Sequence, residues 1–375
     1  MMASDMHQAA SDSLELSIVV PTLRERENVP ELIRRLDACL KQYRWEVIFV
    51  DDDSPDGTAD VVREFACRDG RVRCLQRIGR RGLSTACIEG MLATAAPMIA
   101  VIDADLQHDE TRLPVMLQAM RETHADLIVG TRYAAGGSVG SWDASRAAMS
   151  RIATRLSRLI SAHHVSDPLS GFFMLRRDVL HTAVHNLSGM GFKILLDLIA
   201  SAKTPLVIGE VPYTFRARLA GESKLDSTVL WEFGMLLADK LIGRYVPVRF
   251  LAFALVGAAG VLVHMMVLAA LFSTLRVNFT ASQTVAAAIA MVFNYTINNV
   301  LTYRDRRRKG IRWFTGLLSF VAACSIGAIA NVGIASFLFE HRTRWFISAL
   351  AGILVGAVWN YAITTLYTWG GPKRQ

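Results

Sequence analysis

Two carboxylates two residues apart, Asp103 and Asp105, are the sharpest chemical signal in the chain. They end the apolar run 98–102, and in an extended segment both reach one hard cation. Gln107 adds a neutral oxygen and His108 a nitrogen beside them. Mg2+ is usually held by one or two carboxylates together with substrate phosphates, so this group points to metal-assisted chemistry at a phosphate. A second acidic block, residues 51–58 (DDDSPDGT), also ends an apolar run. Ser-Pro-Asp-Gly is turn chemistry. Its carboxylates either accept bonds from a ribose or base or, Asp56 above all, cap the helix that follows. Cations gather further on, at Arg132, Arg146, Arg151, Arg155 and Arg158.

These residues need a scaffold that gathers strand ends. Residues 16–21 (LSIVVP), 45–50 (WEVIFV), 72–76, 98–102 and 125–130 read as strands. Helical spacing fills the gaps at 27–39, 60–67, 84–95 and 112–124; in the first, Val29, Leu32, Ile33 and Leu36 share one face. Strands alternating with helices predict an α/β domain with a mainly parallel sheet. Ligands of such sheets bind beyond the carboxyl ends of the strands, so 21–25, 51–53 and 103–107 are expected to converge on one cleft.

The 375 residues carry a net charge of +8, unevenly spread. Residues 246–375 hold 12 basic and 2 acidic side chains, residues 1–245 hold 29 and 31. A near-neutral first part argues against a nucleic-acid-binding domain, and a mean hydropathy of +0.30 excludes a disordered chain. Apolar stretches at 250–272, 281–303, 313–339 and 345–369 are each long enough to cross roughly 30 Å of hydrocarbon. Trp313, Trp345 and Trp369 edge them as an aromatic belt would, and the pairs Gly257/Gly260, Gly327/Gly333 and Gly352/Gly356 suit close helix packing in lipid. Asn294, Asn298, Asn299, Asn331 and Asn360 either bond between helices or line a headgroup path.

Lys240, Arg244 and Arg249, the group Arg304, Arg306, Arg307, Arg308, Lys309 and Arg312, and Lys373 with Arg374 all fall on one side of a four-helix topology. The positive-inside rule makes that side, with both termini, cytoplasmic; Arg276, Arg342 and Arg344 form the smaller opposing group. Residues 142–160, with Ile152, Leu156, Leu159 and Ile160 among arginines, predict a basic amphipathic helix on an anionic membrane surface, or else a solvated helix face. Residues 229–241 predict a second interfacial helix. Five cysteines without a C-x-x-C pair suggest neither a disulfide frame nor structural zinc, and fit a reducing compartment. The polar first 15 residues lack the apolar core of a signal peptide and are expected to form a disordered tail.

With these blocks in place, the chain resembles the family 2 glycosyltransferases of GT-A fold, and among them the polyprenyl- (dolichyl-) phosphate mannose synthases. The likeness covers about residues 16–240. It rests on 21–25 (PTLRE), 51–58, Gly82-Leu83-Ser84, 103–108 (DADLQH), 130–133 (GTRY), 167–172 (DPLSGF) and 221–225 (GESKL). The last third resembles the GtrA-like four-helix membrane domain. The resemblance implies a tail at 1–15, a Rossmann-like GT-A catalytic domain at 16–225, an interfacial helix at 226–245 and an all-α transmembrane domain at 246–375. It implies transfer of mannose from GDP-mannose to a polyprenyl monophosphate, with inversion at the sugar. Pro21, Leu23, Glu25, Val50, Asp52 and Asp103 would then hold the nucleotide sugar. Asp103, Asp105 and Gln107 would hold Mg2+ or Mn2+ and the diphosphate. Arg132 and Arg146 would meet the donor or acceptor phosphate, and Arg216 and Lys224 would close over the site. Leu23 and Arg24 stand where the family usually has Tyr and Asn, away from the metal motif.

The implied chemistry agrees with the residue types. A cation and arginines stabilise charge on a departing diphosphate. An acceptor that is already an anion needs no general base, unlike a glycosidase with its paired carboxylates. The planar fork of arginine binds phosphate bidentately. One alternative is the same reaction with UDP-glucose and undecaprenyl phosphate. A non-catalytic transporter or scaffold for lipid-linked sugars is another, and the Asp103/Asp105/Gln107 set argues against it. A processive polysaccharide synthase would carry a Q-x-x-R-W block, which the sequence lacks.

Overall fold

The structure is a computed structural model. It describes residues 13–138, 154, 155, 157, 165–189, 191, 193–216, 228–243, 245–342 and 344–370. The chain forms two compact units, Met1–Leu241 and Ile242–Gln375.

In the first unit, β1 (Leu16–Thr22), β2 (Trp45–Asp51), β3 (Val72–Gln76), β4 (Met98–Val101), β5 (Leu127–Thr131), β6 (Phe173–Arg176) and β7 (Ile208–Pro212) form one sheet of order β3-β2-β1-β4-β6-β5-β7. All pairings are parallel except the two made by β6. Strands β1 and β2 are buried almost throughout, which requires cover on both faces. Helices α1 (Val29–Cys39), α2 (Thr58–Ala66) and α4 (Leu113–Thr123) supply one face, with Leu32, Leu36, Val62 and Met116 in its core. Helices α3 (Leu83–Leu92), α5 (Arg177–Ala183) and α6 (Ile194–Ser201) supply the other, with Cys87, Met91, Leu180 and Leu195. Gly90 lets α3 lie on the sheet, since a Cβ there would stand 2.8 Å from Val50 Cγ2.

Strands β6 and β7 lie outside the strand set expected from the sequence. β6 runs directly into α5 with no turn residue to mark its end, and β7 contains a glycine and ends in a proline. At the sheet edge Pro212 costs little, because no further strand needs its missing N–H. The reversed direction of β6 has a consequence for the site. It brings residues 165–172 to the same sheet edge as the carboxyl ends of β1, β2, β4, β5 and β7.

Helix α7 (Thr228–Ile242) turns Phe233, Leu236 and Leu237 into a small core with Leu169 and Leu196. Its Lys240 Nζ lies 2.6 Å from the fully buried Asp197. The expected amphipathic segment 142–160 falls outside the described residues but for Thr154, Arg155 and Ser157.

The second unit contains four helices long and apolar enough to cross a membrane, Val248–Thr274, Phe279–Thr302, Ile311–Glu340 and Leu350–Thr368. At about 1.5 Å per residue each is close to or longer than the roughly 30 Å hydrocarbon layer. Two of them end alike. Asn294-Tyr295 leads through a π-helical turn, Asn298–Thr302, to Tyr303, and Asn360-Tyr361 leads through Thr364–Thr368 to Trp369. The asparagines pack closely on glycines of other helices, Asn294 on Gly260 and Asn360 on Gly327. The Asn299 amide clasps both backbone groups of Arg308, at 2.8 and 3.0 Å, and accepts the Trp369 indole N–H at 3.1 Å. Trp369 is therefore no belt residue: it is 1% exposed and stacks on Tyr303 with centroids 4.0 Å apart. Hydropathy alone does not separate a lipid-facing Trp from a core one.

Candidate active site

The loop after β1 and the 51–58 block are stitched together. Thr22 Oγ1 donates to Asp51 at 3.2 Å, Arg24 N–H to Ser54 Oγ at 2.9 Å and Glu25 N–H to Thr58 Oγ1 at 3.0 Å. Asp51 also accepts both the Ser54 N–H and its hydroxyl. Asp56 accepts from the Thr58 N–H and Oγ1, closing the turn one residue ahead of Gly57, which takes the N-cap position of α2. Glu25 is half-buried and accepts from Asn28 at 2.7 Å. Pro21 and Leu23 are half-buried beside it. The Val50 side chain packs into the core beneath the sheet, so only its backbone borders this loop.

Asp52, expected at the nucleoside, already has strong partners. Its Oδ1 lies 2.5 Å from Arg77 Nη1 and its Oδ2 accepts the Gly82 N–H at 2.6 Å. Arg77 is only 2% exposed and also reaches Thr85 and Glu89. Burial pushes the Asp52 carboxyl above its ordinary range despite the arginine and the N–H. Arg77 is a residue that sequence reasoning missed. The pairing of β2 with β3 explains its position, because Arg77 directly follows Gln76, the residue opposite Asp51.

Past β4 the chain turns through Leu106, whose φ is +62°, and presents Asp103, Asp105 and Gln107. Asp105 is buried and accepts the Gln107 N–H at 3.2 Å. Gln107 is tied twice to the Arg216 backbone, its C=O accepting Arg216 N–H at 2.8 Å and its side-chain Nε2 donating to Arg216 C=O at 3.2 Å. Asp103 bonds His108 Nε2 through Oδ2 at 3.1 Å. Burial raises the Asp103 carboxyl, but the His108 bond, with Lys193 and Arg132 nearby, more than offsets this and leaves it below the ordinary range. Gly171, from the 167–172 block, approaches so closely that a Cβ would stand 2.7 Å from Asp103 Oδ2.

Arg132 leaves β5 and meets Asp167 in a bidentate pair, Nε to Oδ2 at 2.7 Å and Nη2 to Oδ1 at 2.8 Å. Asp167 is fully buried and Arg132 is 9% exposed. Burial opposes the guanidinium charge, yet Asp167 holds its pKa above the ordinary value. Arg132 also lies over Phe215, at 5.5 Å from the ring centroid. Arg216, expected to close on a phosphate, holds two carboxylates instead, Asp109 at 2.6 Å and Glu110 at 2.7 Å. The structure thus brings Asp103, Asp105, Gln107, Arg132 and Arg216 to one sheet edge, with Glu25 and Asp52 on neighbouring strand ends. Arg146 and Lys224 lie outside the described residues.

Residues 17–183 match the model of glycosyl transferase family 2, and residues 252–369 match that of the GtrA/DPMS transmembrane domain. With four helices of spanning length, the chain is a membrane protein. A dolichol-phosphate mannosyltransferase of Pyrococcus furiosus is 32% identical over 358 residues, covering 95% of this chain and 99% of that protein. Its namesake in Saccharomyces cerevisiae is 34% identical over 242 residues, covering 62% of this chain and 89% of that one. Among solved structures, glucosyl-3-phosphoglycerate synthase from Mycobacterium tuberculosis is similar over 62% of this chain and 81% of that chain, with 18% identity and a TM-score of 0.45. Mannosyl-3-phosphoglycerate synthase from Rubrobacter xylanophilus is similar over 64% of this chain and 76% of that chain, with 16% identity and a TM-score of 0.45.

Proposed function

The chain belongs to the dolichol-phosphate mannosyltransferase family of glycosyltransferases, and from that premise we propose that it moves mannose from GDP-mannose to a dolichyl or other polyprenyl monophosphate at the cytoplasmic face of a membrane. The observation that carries this reading is the meeting of Asp103, Asp105 and the Asp167-held Arg132 at one sheet edge. The same chain carries four apolar helices of spanning length.

The donor set suits Mg2+ or Mn2+, since two carboxylates and an amide oxygen are hard ligands. Among the described residues no group of three or more His, Cys, Asp or Glu is placed to hold a metal ion by itself, so phosphate oxygens and water would complete the shell. When bound, such an ion supplies Lewis-acid stabilisation of the departing diphosphate. The chain's own residues do the rest. The stitched loops at 22–25 and 51–58 hold the nucleoside side of the cleft rigid. Pro21, Leu23, Glu25 and Asp52 line it, with Val50 contributing backbone. Arg132, aimed by Asp167, offers positive charge to a phosphate; Arg146 and Lys224 are proposed to add to it. Arg216 would exchange a carboxylate for a phosphate to close the site. The acceptor attacks as an anion, so one displacement with inversion needs no base. The basic clusters flanking the helices support a cytoplasmic placement of this domain and both termini.

The test is transfer by the purified full chain in detergent from labelled GDP-mannose or UDP-glucose to polyprenyl phosphate. Mannosyl lipid is the expected product. Glucosyl lipid alone would replace the donor and keep the chemistry, and no lipid product from either would favour a non-catalytic role.

A further inference from the structure

His108 stands beside the metal-type carboxylates, where its position in the sequence makes it a candidate nitrogen ligand. Its surroundings give it a different task. The ring is 3% exposed and caged by Phe172, Tyr213 and Phe215, each with its centroid 5.5 Å away. Both nitrogens are engaged: Nε2 lies 3.1 Å from Asp103 Oδ2 and Nδ1 lies 2.8 Å from the Tyr213 hydroxyl. A carboxylate only accepts, so in the neutral ring Nε2 carries the proton and Nδ1 accepts from the Tyr213 O–H. Burial keeps that phenol protonated, well above its ordinary pKa. Tyr213 is itself placed by its backbone, whose N–H donates to Thr131 C=O at 3.0 Å.

The result is a line of three groups, Tyr213 to His108 to Asp103, that grips one carboxylate oxygen. Gly171 lies against the same carboxylate, where a Cβ would stand 2.7 Å from Oδ2 and 3.4 Å from Oδ1. Among the described residues the His108 bond falls on Oδ2, so Oδ1 is the oxygen left to a cation. Groups that orient metal ligands in this way are commonly worth ten- to a hundredfold in metal affinity.

Resting on the divalent-cation site of the proposed function, we propose that His108 is a positioning residue: backed by Tyr213, it fixes the Asp103 carboxylate for the cation and does not itself bind the ion.

The test is Mn2+ titration of the full chain in detergent with GDP present, followed by the loss of the free-Mn2+ electron paramagnetic resonance signal. Four proteins are compared: wild type, His108→Phe, His108→Gln and Tyr213→Phe. The Phe variant keeps the ring cage and loses the donor, and should bind Mn2+ about ten- to a hundredfold more weakly. The Gln variant places an N–H donor near the Nε2 position and should recover to within a few-fold of wild type. Tyr213→Phe should lose a few-fold. Unchanged affinity in His108→Phe overturns the proposal. So does a Gln variant as weak as the Phe one with unchanged melting, which is what a direct ligand or a mere packing role predicts. If His108→Phe does not fold, Tyr213→Phe decides, and wild-type affinity there overturns the proposal. A wild type that takes up no Mn2+ with GDP removes the metal reading itself and this inference with it. That outcome is distinct from a wild type that binds while the variants bind equally well.

Discussion

Replacing Asp167 by Asn isolates the ion pair on which the aim of Arg132 depends. The two groups are 0% and 9% exposed and share bonds of 2.7 and 2.8 Å, with a third from the Arg132 N–H at 3.3 Å. Asparagine keeps the shape and an acceptor oxygen, but the guanidinium loses its counter-charge. Removing one partner of a buried pair costs about 3–5 kcal/mol. The retained oxygen can still serve the backbone N–H, so the lower end, about 3 kcal/mol, is expected. For a domain of this size each kcal/mol moves Tm by about 2–4 °C, giving a drop of roughly 6–12 °C. Arg132→Met strands the opposite charge and should cost a similar amount. The double variant Asp167→Asn/Arg132→Met removes both charges and should recover at least about 2 kcal/mol relative to the sum of the singles. Thermal melts of the four proteins in one detergent provide the assay. Single variants melting within about 2 °C of wild type, or a double variant showing the plain sum, would refute the reasoning that Asp167 holds and balances Arg132.

Other consequences are equally direct. Lys240→Met strands Asp197, which is fully buried and also accepts from Ser188 and Gly189; it should lower the stability of the first unit by about 3–5 kcal/mol, read as a Tm shift, while Lys240→Arg costs much less. Gly171→Ala puts a Cβ 2.7 Å from Asp103 Oδ2 and should weaken Mn2+ uptake with GDP by about tenfold or more, with a Tm change of only a few degrees, measured by titration and melting. Thiol alkylation reports burial. Burial pushes the Cys39 thiol up to about 12 and the Cys87 thiol higher, and because only thiolate reacts, at pH 8 roughly 10⁻⁴ of Cys39 is reactive. Iodoacetamide at pH 8 followed by peptide mass spectrometry should therefore mark exposed Cys67 first, and early labelling of Cys87 would contradict the packing of α3 on the sheet.

What the sequence discloses about this site follows from how local each signal is. Asp103 and Asp105 are legible because an apolar strand that stops at two carboxylates needs no distant partner to be noticed. The partners themselves are not. Arg77 lies 25 positions from Asp52, Asp167 lies 35 from Arg132, and Asp109 lies 107 from Arg216; sheet order, not spacing, brings them together. The parallel core of the sheet is legible because its strands are apolar runs bounded by turn residues, while β6 runs straight into α5 and β7 is interrupted by glycine and proline. The four apolar helices are legible by length. Which of their aromatics turn inward is not, as Trp369 shows when it stacks on Tyr303 and bonds Asn299. Arg216 carries the same lesson for charge: a cation expected to face phosphate is held in this structure by Asp109 and Glu110.

Whether Asp105 and a divalent ion carry the transfer is decided by the lipid-linked product formed from labelled GDP-mannose by wild type and Asp105→Ala, with Mn2+ or with EDTA. Wild type should form mannosyl lipid only when the ion is supplied, and Asp105→Ala should be slower by about 10²–10³ at unchanged Tm. An Asp105→Ala protein that transfers mannose at the wild-type rate, or a wild type indifferent to EDTA, would contradict that role.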